Sequence, residues 1–513
     1  MPVVQQGQIN TTALIVPDLY VQIVPPQVAL LNGVPTNILG VVGTATWGPV
    51  NSPSIGGTMA DYSRIHGQIQ NRKYDMGTAV AAAVLQGAAN FRFVRVTDGT
   101  DAAASTIVQT SCITLTGKYT GTTGNALQAT LAAGSAPNTS RITLALPGFQ
   151  PEVFDNIPGT ANALWVNMAA AINNGNGALR GKSELVVATA GAGTAALAPA
   201  TVTFSGGTDG ATTITGSVLV GVDTTTRTGM YALRNTGSSI ALLADCDDST
   251  TWTNQVAYGL SEGTYMIGVG PAGDTIANAV STKATAGIDS YAFKPLFGDW
   301  VYFLDTVNGV TRLISPQGFV AGLLANLSPE QSSLNKQLQG IVATQRTIQN
   351  RVYSSAELQA LGQAGIDLVT NPAPGGNYFA ARFGHNSSSN AVINGDNYTR
   401  MTNYIAYTLA SGMGKFVGKL QSLQKDDPTR SGAKAQVDAF LAGMKQSTSG
   451  TGLGMIDDFS TICDLTNNTP NRIALGYMQM DVKVRYLSVV EKFLINLEGG
   501  QSVQVARVST ATA

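Results

Sequence analysis

One stretch constrains the fold more than any other. "DMGTAVAAAVLQGAANFRFVRV", residues 75–96, reads as an Ala-rich helix, a Gly–Ala–Ala–Asn break, and a strand from Phe91 to Val96 with apolar residues on both faces. A strand apolar on both faces needs a covering layer on each side, which is the geometry of an α/β domain. Strand-like and helix-like runs alternate again between residues 211 and 374, in "IALLAD", "TYMIGVG", "DSYAFKPL" and "WVYFLDT". A chain of 513 residues exceeds what one core supports, so two to four domains are expected.

Residues 1–30 read as an extended arm, because β-forming residues are mixed with four prolines that neither helices nor sheets tolerate. After Asp101 the composition shifts to Thr, Ala, Gly and Ser, with short alternating runs such as "RITLALPG" and "ATVTFSGG". This marks residues 101–210 as a small β-rich insertion, with one helix on which Leu164, Met168 and Ile172 share a face. "LSPEQSSLNKQLQGIVATQRTI" predicts a helix capped by Ser328, with Pro329 in its first position and Gln331 closing a capping box. Leu334, Leu338, Ile341 and Val342 would be its apolar stripe. Two more helices are expected in "NYTRMTNYIAYTLASGM" and "AKAQVDAFLAGMKQ". Near the end, "GYMQMDVKVRYL" alternates Met480, Val482, Val484 and Tyr486 with polar residues, a half-buried strand expected to pair with "EKFLINL".

The chain is poorly equipped for chemistry. Charged residues make up 12% of it, about half the usual share, and the net charge of −1 argues against nucleic-acid binding, which needs a basic stripe. No Lys or Arg precedes Arg64, so the N-terminus does not read as a secretory signal, and no long apolar run predicts a membrane span. Cys112, Cys246 and Cys463 read as isolated thiols. Gly181-Lys182-Ser183 ends like a phosphate-binding loop, but Asn176 stands where the first glycine belongs. It also follows a helix and leads into a strand, the reverse of the required order. A nucleotide hydrolase using Lys182 and Ser183 is the competing reading, against a surface turn. His66 and His385 have no triad around them in sequence, and Asp245, Asp247 and Asp248 lack the distal Glu of a calcium loop. Lys415, Lys419, Lys425, Arg430 and Lys434 are interrupted by Asp426 and Asp427, which reads as a solvated face or a docking patch for an acidic partner. No enzyme activity, cofactor or metal is expected.

Several motifs, in order, carry a family resemblance: "GVPTNILGVVGTATWGPVNSPSIGGTMADYSRIHG", "AVAAAVLQGAANFRFVRV", "FSGGTDG", "TRLISPQGFVAGLLANLS" and "LGQAGIDLVTNPAPGG". They end in a turn carried by Cys463, Asp464, Asn468, Thr469 and Pro470. Together they resemble the contractile tail sheath proteins of myovirus-type phages, although residues 101–210 show little of the pattern. The resemblance implies a mixed α/β multidomain fold. An inner domain would be built from both chain ends (26–100 plus 375–500), with an α/β middle domain (211–374) and an inserted outer domain (101–210). The extended arms would be 1–25 and 501–513. It further implies self-association as stacked hexameric rings around a tail tube protein, with baseplate and tail terminator proteins as further partners. Such a subunit would be assembled in the host cytoplasm, reside in the virion, and contract to drive the tube through the envelope. The arms, with Leu14, Val16, Tyr20, Val21, Ile23, Val503 and Val505, would add strands to neighbours. The basic residues from Lys415 to Lys434 would be candidates for touching the tube. The sheath of a bacteriocin-like injection device is an alternative within the class. A glycan-binding module in residues 101–210 is an alternative to plain decoration of the outer wall.

Overall fold

The structure, a computed structural model, describes residues 31–177, 180–445 and 454–497, together with the backbone of 3–6 and 20–23. Its centre is a six-stranded sheet. In spatial order the strands are Phe293–Leu296, Tyr265–Val269, Ile240–Leu243, Leu39–Gly43, Phe91–Arg95 and Ser54–Gly56. All neighbours run parallel except the last pair. The period-two geometry of a strand sorts the side chains cleanly between two cores. Val41, Phe93, Leu242 and Ile267 face one core, whereas Val42, Val94, Leu243 and Met266 face the other. Helices Met76–Leu85 and Gln317–Asn326 cover the first face, and Trp252–Glu262 helps cover the second. The first two helices approach very closely: a Cβ on Gly322 would lie 2.4 Å from the Cα of Ala83, so no larger residue fits there.

This sheet joins strands from residues 39–95 to strands from 240–296, across the boundary that the resemblance implies between an inner domain (26–100) and a middle domain (211–374). The reason is the apolar character of these strands. Leu39–Gly43 and Ile240–Leu243 are buried on both faces and lie in the middle of the sheet, where each supplies the other with a parallel neighbour.

Residues 105–203 form two small antiparallel sheets around a core of their own. One has Ile113–Gly117 between Val186–Ala190 and Ser105–Val108; the other has four strands. Helix Ala161–Asn174 contributes Leu164, Trp165, Met168 and Ile172 to that core. Trp47, from the body, is buried in the same cluster.

The C-terminal part packs helices Asp396–Met413 and Pro428–Met444 against a hairpin of Ile456–Ile462 and Asp481–Tyr486. Met480, Val482, Val484 and Tyr486 lean on Met401, Ile405, Val437 and Leu441, as their alternation predicts. Their partner strand is not "EKFLINL": Asp481–Tyr486 pairs antiparallel with Ile456–Ile462, from Ile456↔Tyr486 to Ile462↔Asp481. Asn468 explains the choice. Its side chain accepts from the Gln479 amide at 2.6 Å and donates to the Gln479 carbonyl at 2.9 Å, closing the loop between these two strands.

The helix expected from Ser328 is also absent. The Ser328 signals make a turn, in which the Gln331 amide donates to the Ser328 carbonyl at 3.1 Å and its side chain to Ser328 Oγ. Beyond it the chain is irregular until Ile341–Thr344, a strand paired with Val301–Asp305. Tertiary demands override the local pattern: Ser333 gives both its amide and its hydroxyl to Asp396, and Leu338 is buried in the central core.

Candidate assembly surface

The C-terminal part is set on the central sheet by a buried ionic joint. Lys294 lies in the strand Phe293–Leu296 with its side chain fully buried. Its ammonium donates to Asp367 at 2.6 Å, to Asp396 at 2.9 and 3.2 Å, and to the His385 carbonyl at 3.0 Å. Asp396, the first residue of helix Asp396–Met413, also accepts from Tyr265 at 2.6 Å and from Ser333 at 2.5 Å. Burial pushes the Asp396 carboxyl up, but the Lys294 charge and these donors outweigh it and hold the pKa down at about 2. Burial likewise opposes the Lys294 ammonium, and the two carboxylates overcome it, raising its pKa. Asp367 is further fixed by the amides of Leu368, Phe383 and Gly384. The joint is therefore fully paired, which is the condition for a buried charge cluster to hold a single geometry.

Helix Asp396–Met413 carries the hairpin, with Tyr486 Oη 3.0 Å from Thr402 Oγ1. Among the described residues the hairpin has two strands; Lys445 bridges Ile456 at one end, and the rest of the outer edges presents backbone groups free to pair. The turn between them is the motif of Cys463 to Pro470. Asp464 accepts from the amide and hydroxyl of Thr466, Asn468 is fully buried, and Pro470 opens a short helix for which Thr469 is the N-cap. Cys463 is buried. These residues shape the hairpin from inside.

Beyond the hairpin the chain is tethered twice. Asn397 donates to the Leu487 carbonyl at 3.2 Å, and Glu491 meets His385 Nε2 at 2.8 Å. After Glu491 the apolar residues project: Phe493 is 83% exposed, Leu494 82% and Leu497 91%. Apolar side chains in a continuous run at such exposure mark a surface meant for covering.

Of the arm residues, Tyr20, Val21 and Ile23 lie in a strand whose backbone pairs parallel with Val3–Gln6. Leu14, Val16, Val503 and Val505 lie outside the described residues. Lys415, Lys419 and Lys425 are exposed on one loop, beside exposed Val417, Leu420 and Leu423. Arg430 does not belong with them. It is buried, and its guanidinium donates to the carbonyls of Ser422 at 2.6 Å and Gln424 at 2.5 Å, so it shapes the loop from within. Lys434 is half-buried and paired with Asp438 at 2.7 Å.

The residues weighed for chemistry have other work. Ser183 Oγ donates to the buried carboxylate of Glu152 at 2.5 Å, so a phosphate there would face a negative charge. His66 is buried between Ser54 Oγ at 2.6 Å and the Trp47 carbonyl at 3.2 Å. Nδ1 must donate to that carbonyl, leaving Nε2 to accept from Ser54. Asp245 accepts from the Ser315 amide, Asp247 pairs with Lys73, and Asp248 caps Thr250. Among the described residues no group of three His, Cys, Asp or Glu side chains is arranged to hold a metal, and no helix is long and apolar enough to cross a membrane. The sequence did hold a clue to the missed joint: Lys294 is a lone cation in the apolar run "YAFKPLF".

The molecule thus belongs to the mixed α/β class, with its conspicuous exposed features on a hairpin edge and a projecting tail. The fold is that of sheath tail proteins. A sheath tail protein from Desulfitobacterium hafniense matches with a TM-score of 0.55 at 16% identity, over 86% of this chain and 92% of its own. One from Listeria innocua gives 0.59 at 13% identity, over 89% and 96%. The helical sheath of the anti-feeding prophage in its contracted state gives 0.54 at 10% identity, over 94% and 99%. No protein-family model matches the sequence, and no curated protein matches it significantly.

Proposed function

We propose that the protein is a structural subunit of a contractile sheath. It polymerises as stacked hexameric rings around an inner tube and shortens to drive that tube through a cell envelope. The observation that carries this reading is the tethered, apolar, exposed segment after Leu487, beside a hairpin with open edges, on a chain with the sheath fold. In this reading the segments 1–25 and 501–513 add strands to neighbours, and main-chain hydrogen bonds keep subunits connected while their bodies rotate. A head-to-tail contact of this kind propagates as a helical tube. The work of contraction comes from the difference between two packings, so no catalytic group or cofactor takes part.

Lys415, Lys419 and Lys425 are the tube-facing candidates, with baseplate and terminator proteins at the two ends of the assembly. A phage particle assembled in the host cytoplasm is the first setting. An injection device is the second, favoured by the likeness to the anti-feeding prophage sheath. Negative-stain microscopy of the purified protein tests the class: hollow striated tubes are expected, and globular particles at all concentrations would refute it. Removing residues 1–25, or those after Gly500, should leave folded monomers that form no tubes.

A further inference from the structure

A cavity of about 380 Å³ opens at the N-terminal ends of the strands Ile240–Leu243 and Tyr265–Val269. Tyr258, Tyr404 and Tyr407 wall it, and Arg400 and Asn403 line it from helix Asp396–Met413. Two polar groups here are incompletely used. Arg400 is 4% exposed, yet among the described residues it makes no ion pair. Its guanidinium donates to the carbonyls of Ser328, Leu327 and Thr36 at 2.9, 2.7 and 3.5 Å, fewer acceptors than its five N–H groups can serve. Of the two carboxylates that act on it through space, Asp396 is bonded to Lys294, Ser333 and Tyr265, and Glu330 accepts from the Ser328 hydroxyl. Asn403 Nδ2 is buried with no hydrogen-bond partner among the described residues. One carboxylate, Glu262, also lines the cavity, but it is already paired with Arg234 at 3.0 Å. A cavity walled by three tyrosines, with a buried cation and a spare amide donor, fits an apolar group followed by a carboxylate.

The chain itself carries such a group. Phe493, Leu494, Ile495 and Leu497 are exposed, and the next residue is Glu498. We propose that the cavity receives this segment from a second copy of the chain, with Leu497 entering between the tyrosines and the Glu498 carboxylate meeting Arg400 and Asn403. The inference rests on the self-assembly reading above and adds an acceptor site to it. It is compatible with strand addition by the residues that follow. Thr402, beside Asn403 on the same helix, touches the hairpin through Tyr486, so cavity and hairpin lie on adjacent sides of one helix. The five residue-to-residue steps from Glu498 to Val503 reach up to roughly 17 Å, enough to pass around a helix about 10–12 Å across.

The test uses full-length chains, one carrying Asn403→Cys and the other Leu497→Cys, mixed under tube-forming conditions and mildly oxidised. A disulfide-linked pair should form in the mixture and in neither variant alone. Asn403→Phe, which fills the cavity from a half-buried helix position, should slow tube formation at least tenfold while leaving the monomer's thermal transition in place. Normal tubes with no cross-link, or a cross-link within single monomers carrying both cysteines, would overturn the proposal and leave the sheath reading intact. Wild-type protein that forms no tubes would refute that reading, and the proposal with it.

Discussion

Lys294 takes a strand position whose sequence neighbours, Phe293, Pro295 and Leu296, are apolar and buried. An apolar residue there would avoid the desolvation of three charges, so the ionic joint is better understood as a fixer of geometry than as a source of stability. Removing one charge leaves the others unpaired: Lys294→Met should lower unfolding free energy by about 3–5 kcal/mol. Adding Asp367→Asn and Asp396→Asn should restore much of that loss in chemical denaturation. A loss below about 1 kcal/mol in the single variant would mean that water reaches the joint. Two other buried groups oppose one another in acid. Burial drives His66 down to about 3, so the unfolded chain binds its proton first, and stability is lost as pH falls from 6.5 towards 3. Burial drives Asp75 up to about 6, so the folded chain binds that proton first, and stability is gained as pH falls from 6 towards 3.8. Asp75→Asn keeps a capping oxygen for Thr78 but removes the opposing contribution. Between pH 6 and 4 its stability should therefore fall more steeply than that of the wild type, by up to about 1.4 kcal/mol per pH unit. Parallel pH–stability curves would show that Asp75 does not titrate in this range.

At the scale of elements, legibility followed how far the local pattern agreed with the tertiary demand. The helix Asp396–Met413 and the strand Asp481–Tyr486 each have an apolar face that their own periodicity announces. The stretch after Ser328 has helical spacing too, but Ser333 is claimed by the ionic joint, whose members lie far apart in sequence. Nothing in residues 328–342 alone reveals Asp396. The pairing of the last strand is not legible in its own segment, because "EKFLINL" is apolar enough to look like a core strand, whereas it is an exposed segment. The hairpin itself depends on its turn. Asn468 spends its side chain on backbone groups of Asp464, within the motif, and of Gln479, just before the second strand. Asn468→Ala should cost about 1–3 kcal/mol through unpaired backbone groups. Hydrogen exchange should then accelerate in residues 456–486 and stay unchanged in the central sheet. Uniform acceleration across both would mean that the hairpin does not open independently.

At the scale of the whole molecule, the insertion between residues 101 and 210 leaves and re-enters the body at one place. The Asp98 amide donates to the Gly210 carbonyl at 2.8 Å, and Ala102 and Thr208 bridge each other's backbones. Asp98 gathers the hydroxyls and amides of Thr100, Thr212 and Thr213 across this junction, and Arg72 pairs with Asp209 at 2.6 Å. Buried Arg95 adds bonds to the carbonyls of Thr120 and Asp209. Such a junction holds the insertion rigidly, and its ends are close enough for the chain to be rejoined without it. The body would lose the packing of Trp47, whose ring lies on Tyr119 at 5.5 Å and sits in the inserted core, together with the Arg95 bond to the Thr120 carbonyl and the bonds between Thr46 and Thr123. A chain with residues 103–207 replaced by a short Gly-Ser linker and carrying Trp47→Ser is therefore expected to fold, with the central sheet and the ionic joint unaltered. If the insertion serves as the outer decoration of a sheath, this chain should still form tubes, of smaller outer diameter and unchanged inner diameter by electron microscopy. A folded chain that fails to polymerise would instead make the insertion part of the subunit contact, and an unfolded one would make it part of the body's own core.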